Sequence, residues 1–512
     1  MKKIILYIFS IVVLMSICLC IGDYNYSDNR APSQSPPGGI PVNLVPQFVV
    51  LGFDDNAYSG LEGSGGSGGM TWVLDMISRK TNPAGTGQAA TYDGTKCKVS
   101  FYFSTIYIDQ WMSESPVYVK RAWRRALEEG HEVGLHSHTH PHGSNYSVSQ
   151  WENEIQLCID WLTKPYDPNE PTLTPDPTKG IGATLTQIIG WRTPYLEYNG
   201  NTFTALKNKG VWYDCSIEEG WQWQHDGTNY YWPYTLDNGS PGHEVLVEWG
   251  TKQPIGTYPG LWEMPVYPVI VPPDSECPNY GVPSGLRAKM KSYQSWFDEN
   301  SGKITGFDYN LWVSFRMTKA EFLATLKYTL DLRLRGNRAP FLFGVHSDYY
   351  SSKYTAVPNA TLEERQQAIE EFIDYALSKP EVRVVSMKQC LDWIRNPVPL
   401  GGGSGGVTYY TLSVSVNPQG GGVVQVSPSS ADGKYVAGTQ VTLTAVANSG
   451  YAFSHWSGSV SGSGNPVVIT MDSDKSVTAN FVVESEPQVF EDFEGYNTTE
   501  EMPWYAYADT VA

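Results

Sequence analysis

The sequence predicts an α/β protein, a β/α barrel of about eight units, followed by a small all-β domain. Three observations lead there. Across residues 47–397, short β-branched or aromatic runs alternate strictly with amphipathic stretches, the pattern of a parallel sheet whose strands are joined by helices. GGGSGG at 401–406, inside a Gly-rich linker taken as 398–406, has a composition that builds no core. Beyond it, residues 407–484 hold only short alternating strands split by Gly, Asn and Ser turns.

In chain order, residues 1–22 join Lys2 and Lys3 to an apolar run that is short for a full span and ends in small residues, the layout of a secretory signal. The protein is therefore expected to be secreted or held at the cell surface. A lipid anchor at Cys18 or Cys20 would need a loose version of the lipoprotein motif. Residues 23–46, rich in Ser, Pro and Asn, read as a linker. The strands that follow are QFVVLGF, KVSFYFS, HEVGLH, QIIGW, VWYDCS, LWEMPVYPV, FLFGVHS and VRVVSM. Between them lie the helical stretches MTWVLDMISRK, VYVKRAWRRALEEG, QWENEIQLCIDWLTK, NTFTALKNKG, AEFLATLKYTLDLRLRG and EERQQAIEEFIDYALSK. Residues 485–512 look like the opening of a further β-domain.

A chain of 512 residues, 41% hydrophobic and 17% charged, is folded protein of more than one domain. Its net charge of −18 argues against nucleic acid or an anionic membrane as a partner, since both reward clustered Lys and Arg. The 17 Trp and 33 Tyr are more than cores usually need, and exposed rings can grip the apolar faces of sugars. Cys97, Cys158, Cys215, Cys277 and Cys390 form an odd set in an oxidising compartment, which leads one to expect one or two disulfides and a leftover thiol.

Chemistry is concentrated where the strands end. Asp54 and Asp55 follow the first strand, His136 and His140 the third, Arg192 and Tyr195 the fourth, Asp214 the fifth and His346 the seventh. Singly, each has an ordinary reading: a turn, a solvated loop, a surface ion pair, a satisfied core histidine. Together they fall at one end of a barrel, where active sites are built. Five of the nine histidines lie in GHEVGLHSHTHPHG, 130–143. His136 and His140 are four apart, so one helical turn would point both the same way and His138 elsewhere. With Asp55 they make a three-ligand site with open positions, the catalytic rather than the structural zinc pattern, and leave Asp54 beside it as a base.

LGFDDN, GHEVGLHSHTHP, GWRTPY, the Asp of VWYDCS and FGVHSD resemble, in order, the five motifs of the polysaccharide deacetylases, the NodB-homology fold of carbohydrate esterase family 4. The resemblance spans about 47–397, and GWRTPYLEYNGNTFTAL and NRAPFLFGVHSDYY are similar to the chitin deacetylases of arthropods and fungi more than to the short bacterial peptidoglycan enzymes. It implies a distorted (β/α)7–8 barrel, a divalent metal (zinc, or cobalt or another transition metal) and hydrolysis of N-acetyl groups on a chitin-like polysaccharide. Carried over, Asp54 is the general base and Asp55, His136 and His140 are the ligands. Arg192 holds Asp54, the main-chain N–H of Tyr195 helps the oxyanion, and His346, tuned by Asp214, protonates the leaving amine. His131 and His142 then frame the loop, with His138 a spectator.

Three positions depart from the family pattern. Gly52 stands where Thr is usual, Gly344 where Leu lines the acyl pocket, and Glu218 where Trp is expected, with Trp221 or Trp223 as substitutes. GYAFSHWSG and SDKSVTANF resemble the divergent InlB-type repeat of exported surface proteins, which implies association of 407–484 with the cell surface. The same catalytic set would serve an O-acetyl esterase on acetylxylan or a peptidoglycan deacetylase. A reading from another class is a catalytically weak carbohydrate-binding surface protein.

Overall fold

The computed structural model describes residues 24–401 and 409–483, apart from 428–429, 431–432 and 437–438. The expected signal at 1–22, most of the Gly-rich linker and the tail at 485–512 lie outside the described residues. The chain divides into two compact units between Val407 and Thr408.

The first unit is built on strands β1 (Gln47–Asp55), β2 (Ser100–Phe103), β3 (Glu132–Leu135), β4 (Ile188–Trp191), β5 (Tyr213–Asp214), β6 (Tyr234–Leu236), β7 (Tyr258–Glu263), β8 (Pro268–Ile270), β9 (Lys303–Thr305), β10 (Phe341–His346) and β11 (Val382–Val384). Nine of them form one sheet in the order β10-β1-β2-β3-β4-β5-β7-β6, with β11 also on β1. Its ladders are parallel except β6 on β7, as the strand–helix alternation predicts. β1 is buried along nearly its whole length, so it reads as a continuous apolar run rather than an alternation.

The sheet is curled but not closed by a ladder. β8 continues the chain from β7 and pairs antiparallel with β9; then Phe307 bridges to Gly344, and Gly344 N donates to Gly306 O at 2.8 Å. This seam brings residues 306–308 against β10. The helices start where sequence chemistry allows it: Ser147 with Gln150, Thr318 with Glu321, Thr361 with Glu364 and Ser386 with Gln389 each form a reciprocal cap of backbone N–H groups.

Two expectations are corrected. The stretch at 23–46 is no free linker. Its described part is a strap laid on the barrel: Tyr26 Oη donates to Val211 O at 2.8 Å, Arg30 N to Thr235 Oγ1 at 2.8 Å, and Asp28 accepts Arg395 Nε at 2.6 Å and Trp262 Nε1 at 2.8 Å. Ser and Pro content describes the backbone, whereas the anchors are the Tyr, Asp and Arg between them. The expected disulfides are also absent: Cys97, Cys158, Cys215, Cys277 and Cys390 are free and buried, acting as small apolar side chains in separate parts of the core.

The second unit contains two sheets. One runs β14 (Lys434–Val436), β12 (Tyr409–Asn417), β18 (Lys475–Val483), β16 (Tyr451–Gly458); the other runs β13 (Gly422–Ser427), β15 (Gln440–Ala447), β17 (Val467–Thr470). Alternate residues of β15 and β18 turn inward, and Val441, Leu443, Trp456, Val477, Ala479 and Phe481 share one core.

Replacing Asp28 by Ala removes the acceptor shared by Arg395 and Trp262 and should destabilise the first unit by ~1–2 kcal/mol, read as a lower midpoint in chemical denaturation. An unchanged midpoint would mean that the strap is not held by this contact.

Candidate active site

β1 ends in Asp54-Asp55-Asn56, where Asp55 (φ 63°) and Asn56 (φ 66°) turn left-handed, a conformation short polar side chains tolerate. Asn56 Nδ2 donates to Phe53 O at 2.9 Å and to Tyr102 O at 3.2 Å, which fixes the turn. Asp54 stands in register with His346 on β10 and with Tyr102 on β2. Arg192, directly after β4, is buried; Nη1 donates to Asp54 Oδ1 at 2.8 Å and Gly52 O at 3.2 Å, and Nε to Cys215 O at 3.1 Å. Its guanidinium lies 4.7 Å from the ring centre of Tyr102 and 5.3 Å from that of Phe307.

Beside this pair, Asp55 Oδ1 lies 3.4 Å from His140 Nε2 and 3.9 Å from His136 Nε2. The three ligand atoms all fall within 4.8 Å of one another. His136 Nδ1 is 2.7 Å from Arg192 O; a carbonyl only accepts, so Nδ1 carries a proton and Nε2 is the nitrogen turned toward Asp55. Burial pushes His140 down in pKa, toward a neutral imidazole. Asp55, although burial opposes it, is held below the usual carboxylate range by His140 and His136. Two imidazole nitrogens and a carboxylate oxygen brought this close are a donor set that fits a divalent cation.

The helical-turn argument for His136 and His140 does not hold. Residues 136–143 form no helix; the loop reverses at Ser137 (φ 69°) and His140 (φ 54°). It is pinned by Glu154, which accepts from His138 N at 2.9 Å and from Thr139 N at 2.8 Å. The other histidines do different work. His131 is buried, accepts from Val99 N at 3.2 Å and is pushed down to about 3 by burial; His138 contacts Thr105 and Asp109. His142 stacks on Tyr195, with ring centres 4.1 Å apart and 7° between planes. Tyr195 itself is left-handed (φ 55°), with its ring half-exposed at the rim and edge-on to His140.

His346 has a different partner from the one expected. Its Nδ1 lies 2.7 Å from Asp308 Oδ1, and its backbone N donates to Asp308 Oδ2 at 3.0 Å. Burial alone would lower this imidazole, but Asp308, with smaller help from Asp54 and Asp55, outweighs it and raises the pKa from 6.5 to about 9. Asp214 is engaged elsewhere, accepting from Ser216 N at 2.9 Å and Ser216 Oγ at 2.6 Å. Burial pushes Asp214 up to about 6, and burial with Asp214 alongside pushes Glu263 well above the carboxylate range. The seam at 306–308, and not the end of β5, is what meets β10. Sequence reasoning missed Asp308 because β9 is only three residues long. One signal was there: Gly-Phe-Asp-x-Asn occurs at 52–56 and again at 306–310.

The departures have steric reasons. A Cβ on Gly52 would stand 3.0 Å from Arg192 Nη1 and from the Tyr102 ring, so the missing side chain makes room for the guanidinium. A Cβ on Gly344 would stand 2.1 Å from the Phe307 ring, which fills the space a larger residue would occupy. Glu218 accepts from Thr305 Oγ1 at 2.5 Å, and both line one cleft together with Trp221 and Trp223.

Residues 89–213 match the family model described as polysaccharide deacetylase, and residues 412–485 that of the divergent InlB B-repeat domain. Among curated proteins the chain is similar to chitin deacetylase 8 of Bombyx mori, 23% identical over 375 residues, covering 73% of this chain and 77% of that one. Chitin deacetylase 1 of the same species is 23% identical over 189 residues, covering 35% of this chain and 27% of its own length. A solved structure of a putative polysaccharide deacetylase from Mycobacterium smegmatis aligns with 15% identity over 72% of this chain and 95% of that one, at a TM-score of 0.39.

In metal-free protein, Asp308→Asn should move the imidazole titration of His346 from about 9 down toward its ordinary 6.5, read by NMR. Because a raised pKa reflects the stabilised imidazolium, the charged form should be lost at lower pH once Asp308 is neutralised. Asp214→Asn should leave that titration within ~0.5 unit; a larger response would restore Asp214 as the tuning group. His140→Ala should lower the affinity for zinc at least ~10-fold in equilibrium dialysis, while Asp54→Asn should keep it. Full zinc affinity in His140→Ala would remove His140 from the ligand set.

Proposed function

We propose that this chain, which carries a polysaccharide deacetylase domain followed by a divergent InlB B-repeat domain, is a zinc-dependent hydrolase that removes N-acetyl groups from β-1,4-linked N-acetylglucosamine polymers of the chitin type and releases acetate. The observation that carries the reading is the facing of Asp54, paired with Arg192, and His346, paired with Asp308, across one register of β1 and β10, with Asp55, His136 and His140 alongside. That is a base, an acid and a cation site around one small volume.

Asp55, His136 and His140 would hold the cation, which when bound supplies Lewis-acid polarisation of the amide carbonyl and a more acidic water. Arg192 engages Oδ1 of Asp54 and fixes the carboxylate, which takes the proton of the attacking water. The main-chain N–H of Tyr195, in its left-handed turn, donates to the oxygen on which negative charge develops. His346 gives its Nε2 proton to the departing nitrogen, because Nδ1 is committed to Asp308. An amide needs this acid more than an ester does, since an amine leaves poorly unless protonated. Phe307, 6.1 Å from His346 between ring centres, offers the apolar surface for a small acyl group.

Support for chitin-type chains comes from the similarity to the silkworm chitin deacetylases and from the RTPYLEYNG and NRAPF stretches. The Lys-led apolar start of the sequence supports export, and the repeat module supports attachment at the cell surface.

With zinc-loaded protein, mass spectrometry of chitin oligomers should detect successive losses of acetyl without chain cleavage, and Asp54→Asn should lower kcat at least ~100-fold. Acetate from acetylxylan alone, with the oligomers intact, would overturn the substrate. Acetate from no glycan would overturn the enzyme reading in favour of a binding protein.

A further inference from the structure

A second feature of the barrel unit lies outside the acid–base site. A cleft of about 1060 Å³ is lined by Trp221, Trp223, Trp249 and Trp296, from three separate stretches of chain. Trp223 is 94% exposed, Trp296 58% and Trp249 54%, a concentration of bare indole that ordinary folding does not call for. Three of these rings are braced. Trp221 meets Trp249 edge-on at 5.8 Å, and Phe315 meets Trp296 at 5.5 Å.

The cleft's charges select for no ion. Its three cations are committed to main-chain carbonyls: Lys252 to Leu196 at 2.5 Å, Lys303 to Gln222 at 2.9 Å, and Arg287 to Val271 at 2.9 Å and Asn300 at 2.6 Å. Glu218, Asp226 and Asp298 balance them in number. What remains for a ligand is a set of flat π-faces with amide and hydroxyl groups around them. A β-linked pyranose matches this, because its axial C–H bonds carry partial positive charge toward the ring and its equatorial groups point sideways to polar partners. At the upper end of the ~300–1,000 Å³ range of small-molecule sites, the volume accommodates more than one sugar.

The cleft is lined in part by residues that lie next in sequence to the acid–base site, or are bonded to such residues. Thr305 lines the cleft two positions before Phe307 and three before Asp308, while Lys252 is tied to Leu196, the neighbour of Tyr195. We infer that the tryptophan cleft binds an uncharged run of several sugar residues whose continuation enters the active site, so that the protein selects long neutral glycans over short ones. The entry of the chain into the active site rests on the deacetylase reading above; the binding of neutral glycan does not.

The test uses full-length protein carrying Asp54→Asn, so that binding is measured without turnover, and isothermal titration with N-acetylglucosamine hexamer, dimer and polygalacturonate. The hexamer should bind at least ~10-fold tighter than the dimer, and adding Trp223→Ala and Trp296→Ala should weaken the hexamer ~10-fold at an unchanged melting midpoint. In the active protein the same two changes should cut the advantage of hexamer over dimer in kcat/KM by ~10-fold. Undiminished hexamer binding in the double variant, or tighter binding of polygalacturonate, would overturn the inference. Acetate release with no preference for length would also overturn it while leaving the deacetylase reading intact. Hexamer binding through the tryptophans with no acetate from any glycan would support the cleft and defeat the deacetylase reading.

Discussion

Arg192 carries a permanent charge into the middle of a protein, where an unpaired guanidinium would cost several kcal/mol. Much of the site is arranged to meet that demand. One nitrogen reaches Asp54 and the carbonyl of Gly52, another the carbonyl of Cys215, and the flat faces are covered by Tyr102 and Phe307. The backbone of the same residue does a second job, since its carbonyl orients His136 through Nδ1. One residue thus fixes Asp54 with its side chain and orients His136, a candidate ligand, with its main chain. Gly52 is part of the same constraint, because even a methyl group there would press on the guanidinium.

The surroundings of His346 are built with opposite polarity. Asp308 is fully buried, yet its two oxygens are spent on the ring and the backbone of His346. The copy of Gly-Phe-Asp at 306–308 follows the one at 52–54 in residue types but not in use. In the first, the glycine makes room for a cation and the aspartate pairs with it; in the second, the glycine carbonyl closes the seam, the phenylalanine fills the space over Gly344, and the aspartate pairs with an imidazole.

What could be read from sequence follows from how locally each feature is encoded. Strand–helix alternation over 47–397 is written in patterns of ten to twenty residues, and the parallel sheet follows from it. The polar residues after QFVVLGF, QIIGW and FLFGVHS could be assigned to one rim because strand ends in such a sheet share a side. Asp308 could not be found this way, since its neighbour in space comes from β10 and the strand that precedes it, β9, is too short to leave a period. The convergence of His136 and His140 was legible but the reason given for it was not, because two left-handed residues do the work assigned to a helix. Composition misled at 23–46, where a few well-placed Tyr, Asp and Arg side chains outweigh a run of Ser and Pro.

The placement of β1 has a consequence for how the molecule is made. This first strand lies between β2 and β10, so half of its hydrogen-bonding edge stays empty until a segment nearly three hundred residues later has been synthesised. Asp54 and His346, register partners on that edge, are separated by 292 positions. Contacts of such long range close late, because the loop entropy they must overcome is spent before they form. Asp54 and His346 therefore come together only in the finished sheet, long after Asp55, His136 and Arg192 have all been synthesised.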